Sequence, residues 1–326
     1  MKAKTITATL AAAFLAGILA CGTAMAEENA DVVRVTALKG PTAMGMVQMM
    51  DQAQESGAYD FSVLAAVDEV APMIAQGKTD IAAVPANLAS VLYNNTEGKV
   101  QVLGINTLGV LYIVDHGAEV ASVEDLKGRT IYASGKGATP EYSLNYILSG
   151  NGIDPEQDVT IEWKSEHAEC LAALLEDEEG IALLPQPFVT TAQMKDEKVH
   201  VSLDLTEEWD KLQADAEKPS GLLTGVTIVR KEFAEEHPDL VAQFLEDYRA
   251  SVEFAQTDVE GAAALIGSFD IVPEQVAVKA LPFCNITLIE GQEMQDKLSG
   301  YLNVLFEQNP KAVGGALPGE DFYYSE

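Results

Sequence analysis

The chain has 326 residues, more than one hydrophobic core usually supports, so two folded parts are expected. A hydrophobic content of 48% excludes a mainly disordered chain. Asp and Glu number 51 against 20 Lys and Arg, and the resulting net charge of −31 excludes nucleic acid and anionic lipid surfaces as partners.

The first residues read as a secretory signal over 1–26: Lys2 and Lys4, an apolar run from Leu10 to Ala20, then small residues. Two processing routes fit. Ala24-Met25-Ala26 suits cleavage before Glu27, whereas Ile18-Leu19-Ala20-Cys21 resembles a lipobox that would lipidate Cys21 and tether the protein to the outer face of a membrane. Both routes place the mature protein outside the cytoplasm, in the periplasm or on the cell surface. Apart from Cys21 only Cys170 and Cys284 remain, too few for a disulfide framework.

From residue 31 the pattern alternates. The apolar runs "VVRVTAL", "YDFSVLAAV", "DIAAVPA" and "VQVLGI" are expected strands, with helical or turn segments at 43–55, 68–76 and 86–93. A second series follows: "LKGRTIYAS", a helix over 140–149, "DVTIEW", a helix over 166–175, "GIALLP", a helix over 188–195, and "KVHVSLDL". Residues 205–220 read as a helix and then a loop, "LLTGVTIVR" as another strand, and the remainder as largely helical. Val241, Phe244, Leu245, Tyr248 and Val252 recur there at helical spacing behind Pro238. Such alternation predicts mostly parallel sheets covered by helices on both faces. "LGVLYIVDHG" and "LLTGVTIVR" bracket the second series as paired connections. The expected layout is therefore a discontinuous first lobe, 31–112 with 224–326, and an inserted second lobe, 113–223.

Taken together, "GKTDIAAVPANLASVLYN", "SVEDLKGRTIYASGKGATPEYSLNYIL", "GIALLPQPFVTTA" and "TGVTIVRKEFAEEHPDLVAQFLEDYRASV" resemble the solute-binding proteins of ABC importers, in the branch that takes up nitrate, sulfonates, taurine and thiamine precursors. The resemblance covers about 31–310 and lies in the order of the motifs. It implies an α/β, two-lobed type 2 periplasmic-binding fold, two crossing strands, and a monomer that delivers a small solute to a permease with its ATPase. No cofactor is implied.

The residues agree with this on their own terms. In open α/β sheets ligands bind beyond the carboxyl ends of the strands, where helices begin. Four such turns here are rich in Gly, Pro and small polar residues: "KGPTAMG", "VPANLAS", "SGKGATPEYS" and "LPQPFVT". In the first, Thr42 is expected to cap a helix, Met44 to touch an apolar part of the solute, and Lys39 either to add positive charge or to be solvated. Asn87 belongs to the second. In the third, Ala138 and Thr139 are candidate hydrogen-bonding partners, with Lys136 either a contact or plain surface. In the fourth, Gln186 between two prolines and Phe188 at the next helix start suit a polar organic ligand with a flat part. Tyr112 on the outgoing connection and Thr224 on the returning strand complete the set. His116, His167, His200 and His237 lack the spacing of a metal site.

A small organic solute, neutral or bearing an anionic group, fits these groups best. Two other readings remain: an enzyme of the same fold, resembling thiamine-pyrimidine synthases or menaquinone-pathway enzymes, and a sensory ligand-binding module.

Overall fold

The computed structural model describes residues 32–216 and 219–325. The segment 1–26 expected to be a signal, with Cys21, lies outside the described residues. The chain opens with β1 (Val33–Leu38), α1 (Pro41–Met44), α2 (Val47–Ser56), β2 (Tyr59–Leu64), α3 (Val70–Ala75), β3 (Ile81–Pro85), α4 (Ala86–Asn95) and β4 (Val100–Leu108). The helix expected over 43–55 is broken at Gly45, where an added Cβ would stand 2.9 Å from Ile286 Cγ2. The next stretch holds β5 (Leu111–His116), β6 (Thr130–Ser134), α5 (Thr139–Gly150), β7 (Thr160–Lys164), α6 (His167–Glu176), β8 (Gly180–Pro185), α7 (Phe188–Lys195), β9 (Val199–Asp204) and α8 (Leu205–Gln213). The last holds β10 (Leu223–Arg230), α9 (Lys231–Glu236), α10 (Pro238–Thr257), α11 (Val259–Ser268), α12 (Glu274–Ala280), β11 (Ile286–Ile289) and α13 (Gly291–Gln308).

The strands form two sheets, ordered β11-β4-β10-β3-β1-β2 and β7-β6-β8-β5-β9. Both are mixed where mostly parallel sheets were expected, and the connections explain why. β4 leaves the first sheet at its carboxyl end and, after only Gly109 and Val110, becomes β5 of the second. It therefore enters that sheet from the carboxyl edge and runs antiparallel to β8 and β9, with Leu111 beside Pro185 and Tyr112 beside Asp204. β10 returns in the same manner between β3 and β4, with Gly225 beside Pro85 and Leu223 beside Leu108. Tyr112 thus stands inside the second sheet.

β11, in a region read as helical, is a four-residue edge strand antiparallel to β4. "ITLI" is too short to separate from a buried helical turn by periodicity.

Three apolar clusters hold the body together. Two are private, each on the outer face of one sheet: Met44, Met49, Phe244 and Tyr248 for the first, and Cys170, Leu174, Leu184 and Val189 for the second. The third is shared. It runs without a break from Val84 and Ile105 through Ile113, Ile131 and Leu144 to Trp209, and is closed by Leu298, Tyr301 and Leu302 of α13. Trp209 lies between Tyr146 and Tyr301, with ring centroids at 4.4 and 5.5 Å. Among the described residues no helix is long and apolar enough to cross a membrane.

Candidate functional site

Because β5 and β10 are each fed from the opposite sheet, the carboxyl edges of both sheets converge on the two crossings. Helix N-termini follow those edges: α1 and α4 on the first sheet, α5, α6 and α7 on the second. Each crossing is tightly fitted. At the first, the Gly109 carbonyl accepts from Asn285 Nδ2 at 2.6 Å, and a Cβ on Gly109 would collide with Thr206 Oγ1. At the second, Trp209 Nε1 donates to the Ser220 carbonyl at 3.0 Å.

On the first edge, Thr42 is buried but does not cap its helix. Gly40 occupies the cap position, and the Thr42 hydroxyl donates to the Leu38 carbonyl four residues back, at 2.8 Å. Its methyl group lies against Gly225, where any Cβ would also strike Asn106 Oδ1. Asn106 and Thr107 are themselves fully buried, and Asn106 Nδ2 donates to Thr227 Oγ1 at 3.0 Å. Sequence reasoning passed over this pair, because "VLGINTL" reads as plain strand. Met44 departs from expectation: it is fully buried among Met46 and Met49 in the private core of the first sheet. Lys39 points away as well, its ammonium donating to the Asp270 carbonyl at 2.8 Å with the Asp270 carboxylate at 3.5 Å.

Asn87 and Thr139 join the two edges. Asn87, fully buried in the first turn of α4, donates through Nδ2 to Ala312 O at 3.0 Å and, more weakly, to Gly137 O at 3.3 Å. Its Oδ1 accepts from the Thr139 hydroxyl at 3.4 Å, and Tyr301 donates to Thr139 at 3.3 Å. Ala138 is buried at the cap of α5, while Lys136 is exposed.

The fourth turn carries Gln186 and Phe188 around a cis Gln186–Pro187 peptide. Gln186 Oε1 accepts from both the backbone and the hydroxyl of Thr190, at 3.3 and 2.8 Å, so its Nε2 is the side-chain donor left over. Phe188 is half-buried, with its ring 5.3 Å from that of His167. Tyr112 is also half-buried; burial, with Asp204 in second place, pushes its phenol up to about 12. The Thr224 hydroxyl is buried with no partner among the described residues.

His167 was the residue most clearly missed. It opens α6 just after β7, and its Nδ1 lies 2.6 Å from the hydroxyl of Ser134 at the end of β6. Burial lowers its pKa to about 4. Position relative to the strand end was the signal that could have found it. Cys170 and Cys284 are free and buried, their thiols pushed up by burial to about 11 and about 12. Among the described residues no three His, Cys, Asp or Glu stand together as a metal site. Two broad surface hollows lie away from the paired edges, one beside Arg249, Glu290 and Tyr324, the other around Gly77 and Arg230.

The profile of the family described as NMT1/THI5 like matches residues 62–262, which takes in both crossings and all the strand ends above except that of β1. The chain belongs to the NMT1/THI5-like family. No curated protein matches it. Among solved structures, it is similar to an ABC transporter protein of Parabacteroides distasonis at 23% identity and a TM-score of 0.72, over 90% of this chain and 99% of that one. It is similar too to the periplasmic aliphatic sulphonate binding protein of Escherichia coli, at 16% identity and 0.70, over 90% and 92%. A third, the alkanesulfonate-binding protein of Xanthomonas axonopodis pv. citri bound to MOPS, shares 14% identity at 0.67, over 88% and 94%. The fold of this family member is that of the periplasmic binding proteins.

Proposed function

We propose that the protein is the extracytoplasmic solute-binding component of an ABC importer. It takes a small organic solute between two lobes, residues 31–112 with 224–326 and residues 113–223, and hands it as a monomer to a permease and its ATPase. The observation that carries this reading is the convergence of both carboxyl edges at two crossings, joined directly by the long hydrogen bonds from Asn87 to Gly137 and from Thr139 to Asn87. A solute that touches both edges favours the shut arrangement by its differential affinity for it. That two structural neighbours are named for sulphonates puts sulfonates first among the candidates, with small carboxylates beside them.

With Lys39 turned to Asp270 and Lys136 exposed, an anionic group is held here by backbone amides at helix starts and by neutral side chains such as Gln186. Binding needs no cofactor. Membrane contact is confined to a lipid on Cys21, if that route of processing is the one used. Against an enzyme acting through cysteine stand the two described thiols, buried and protonated at neutral pH.

A thermal-shift screen of the purified protein against sulfonates, nitrate, thiamine precursors, amino acids and small carboxylates tests the reading. A solute at about 100 times its Kd stabilises the folded state by about 2.7 kcal/mol, a shift of several degrees in Tm. If no class raises Tm, the solute-binding reading fails.

A further inference from the structure

Two buried hydroxyls without a partner among the described residues stand at the crossings, one at each. At the first, Thr206 in the opening turn of α8 rests its Oγ1 against Gly109, where any Cβ would collide with it. The Thr206 amide donates to the Asp204 carboxylate at 2.8 Å, but the hydroxyl has no such partner. At the second crossing, Leu223 stands beside Leu108 and Gly225 beside Thr107. Two residues of β10 thus span one step of β4, and Thr224 is the extra residue of a β-bulge. The next step reverses the mismatch. Val226 stands beside Ile105, which leaves Asn106 unmatched on β4, but its side chain reaches Thr227 at 3.0 Å whereas that of Thr224 reaches no polar atom. Both threonine oxygens are too enclosed for water to reach.

A hydroxyl buried without a partner has given up its hydration for nothing, and disfavours the arrangement that holds it by about tenfold in population. That cost has no consequence for function if the surroundings move with the residue. At the crossings they do not. On the two-lobe reading the chain passes between lobes only at these two links, so the backbone rotation that parts the edges is absorbed there. Thr206 belongs to the second lobe and Gly109 to the first, so parting draws one from the other and admits water to the hydroxyl. Thr224 is the first residue past the second link, in a bulge where the ladder is already interrupted.

We infer that Thr206 and Thr224 act as an opening device at the crossings: their hydroxyls are unpaired while the edges meet and hydrated once the edges part, so the shut arrangement is the minor one until a solute adds contacts to both edges. The inference rests on the solute-binding reading and deepens it, because the apparent Kd then equals the intrinsic one divided by the shut fraction of the free protein. It also gives Thr224 a role in the hinge in place of the solute contact that its position in the sequence implies.

Two measurements test this separately. Thr224→Val and Thr206→Ala each remove one hydroxyl, and Thr224→Ser keeps it. The first measurement needs no ligand: small-angle scattering of the free proteins. A smaller radius of gyration is expected in Thr224→Val and Thr206→Ala than in the wild type and Thr224→Ser. Equal radii overturn the inference and leave solute binding untouched, even where the variants melt higher, because a hydroxyl that costs both arrangements alike does not bias them.

The second is calorimetry with methanesulfonate, nitrate and acetate alongside the other screened compounds. Each probe that binds the wild type is expected to bind Thr224→Val about fivefold or more tightly and Thr224→Ser within about twofold of the wild type. Weaker binding by Thr224→Val makes the hydroxyl a solute contact, and unchanged binding leaves it without influence on closure; either overturns the inference and spares the solute-binding reading. Silence of every compound removes the solute-binding reading and this inference together.

Discussion

Asn87 is the side chain whose removal separates stability from closure most cleanly. In Asn87→Ala, the bond to Ala312 O is lost and that carbonyl is left unpaired in a fully buried site, a cost of about 2 kcal/mol. This part concerns α4 and the turn after α13, and lowers stability whether or not the edges are together. The contacts to Gly137 and Thr139 are 3.3 and 3.4 Å long, so together they contribute about 1 kcal/mol, and only while the edges meet. The expected loss on denaturation is therefore about 3 kcal/mol, with about fivefold displacement of the shut arrangement toward an open one. Denaturant titration measures the first, and small-angle scattering with and without a solute found by the screen measures the second. Thr139→Val is the companion variant, because it removes the cross-edge bond and leaves Ala312 paired. A Thr139→Val protein as destabilised as Asn87→Ala, or an Asn87→Ala protein with unchanged scattering and unchanged solute affinity, would refute the division.

Other expectations are independent of that one. Asp80 is 2% exposed and accepts from Arg34 Nε at 2.8 Å and Arg230 at 3.0 Å, so Asp80→Asn should cost about 3 kcal/mol in chemical denaturation; a loss below about 0.5 kcal/mol would mean that the two arginines find water instead. The two arginines hold the Asp80 carboxyl below its usual range against the opposing effect of burial, so this stabilisation is present above the unfolded carboxylate pKa and is lost as pH falls through the lower folded value. His167 adds a separate acid sensitivity. Its folded pKa near 4 lies under the unfolded 6.5, so the unfolded chain binds a proton first and stability declines between those values, by about 3 kcal/mol for a wholly buried ring and nearer 1–2 for this partly exposed one. Denaturation curves from pH 7 to 4 should show that slope in the wild type and a smaller one in His167→Gln; equal slopes would remove His167 as the cause. Gly225→Ala drives a Cβ onto Asn106 Oδ1 and within 3.0 Å of the Thr42 methyl, so solute affinity should fall at least tenfold with Tm lowered by a few degrees, and normal affinity would show that the crossing yields.

The architecture was legible because its two periods differ. Strand and helix alternated from residue 31 to 230, and α7 emerged with the bounds Phe188–Lys195 that the apolar run and the preceding prolines imply. Pairing direction was not legible, since an antiparallel β5 or β10 has the same apolar pattern as a parallel strand; only the two-residue link at Gly109 and Val110 forces the reversal. Local chemistry was the harder part. A threonine two residues after Gly40 reads as a cap, yet Pro41 takes the first position of the helix and the hydroxyl turns back to Leu38. Met44 sits at a helix start in sequence but faces the core in space, and Lys39 finds Asp270, 231 residues away. His167 was judged by its spacing from other ligand types, which bears on metals and says nothing of which strand end it follows.

The shared cluster under α13 makes the two flanks of the molecule unequal. Parting the edges on the side of α5, α8 and α13 would wet Trp209, Tyr301 and Leu298, at about 2–3 kcal/mol for each large side chain exposed. α7 of the second sheet also meets α12 beside the first, next to half-buried Phe188 and exposed Val278. Phe188 and Val278 bury less apolar surface there than Trp209, Tyr301 and Leu298 do under α13, so on the proposed two-lobe reading a swing that separates the sheets is expected to behave like a door hung on its aromatic side: the α13 flank is the jamb, and the α7 and α12 flank beside Phe188 is the free edge.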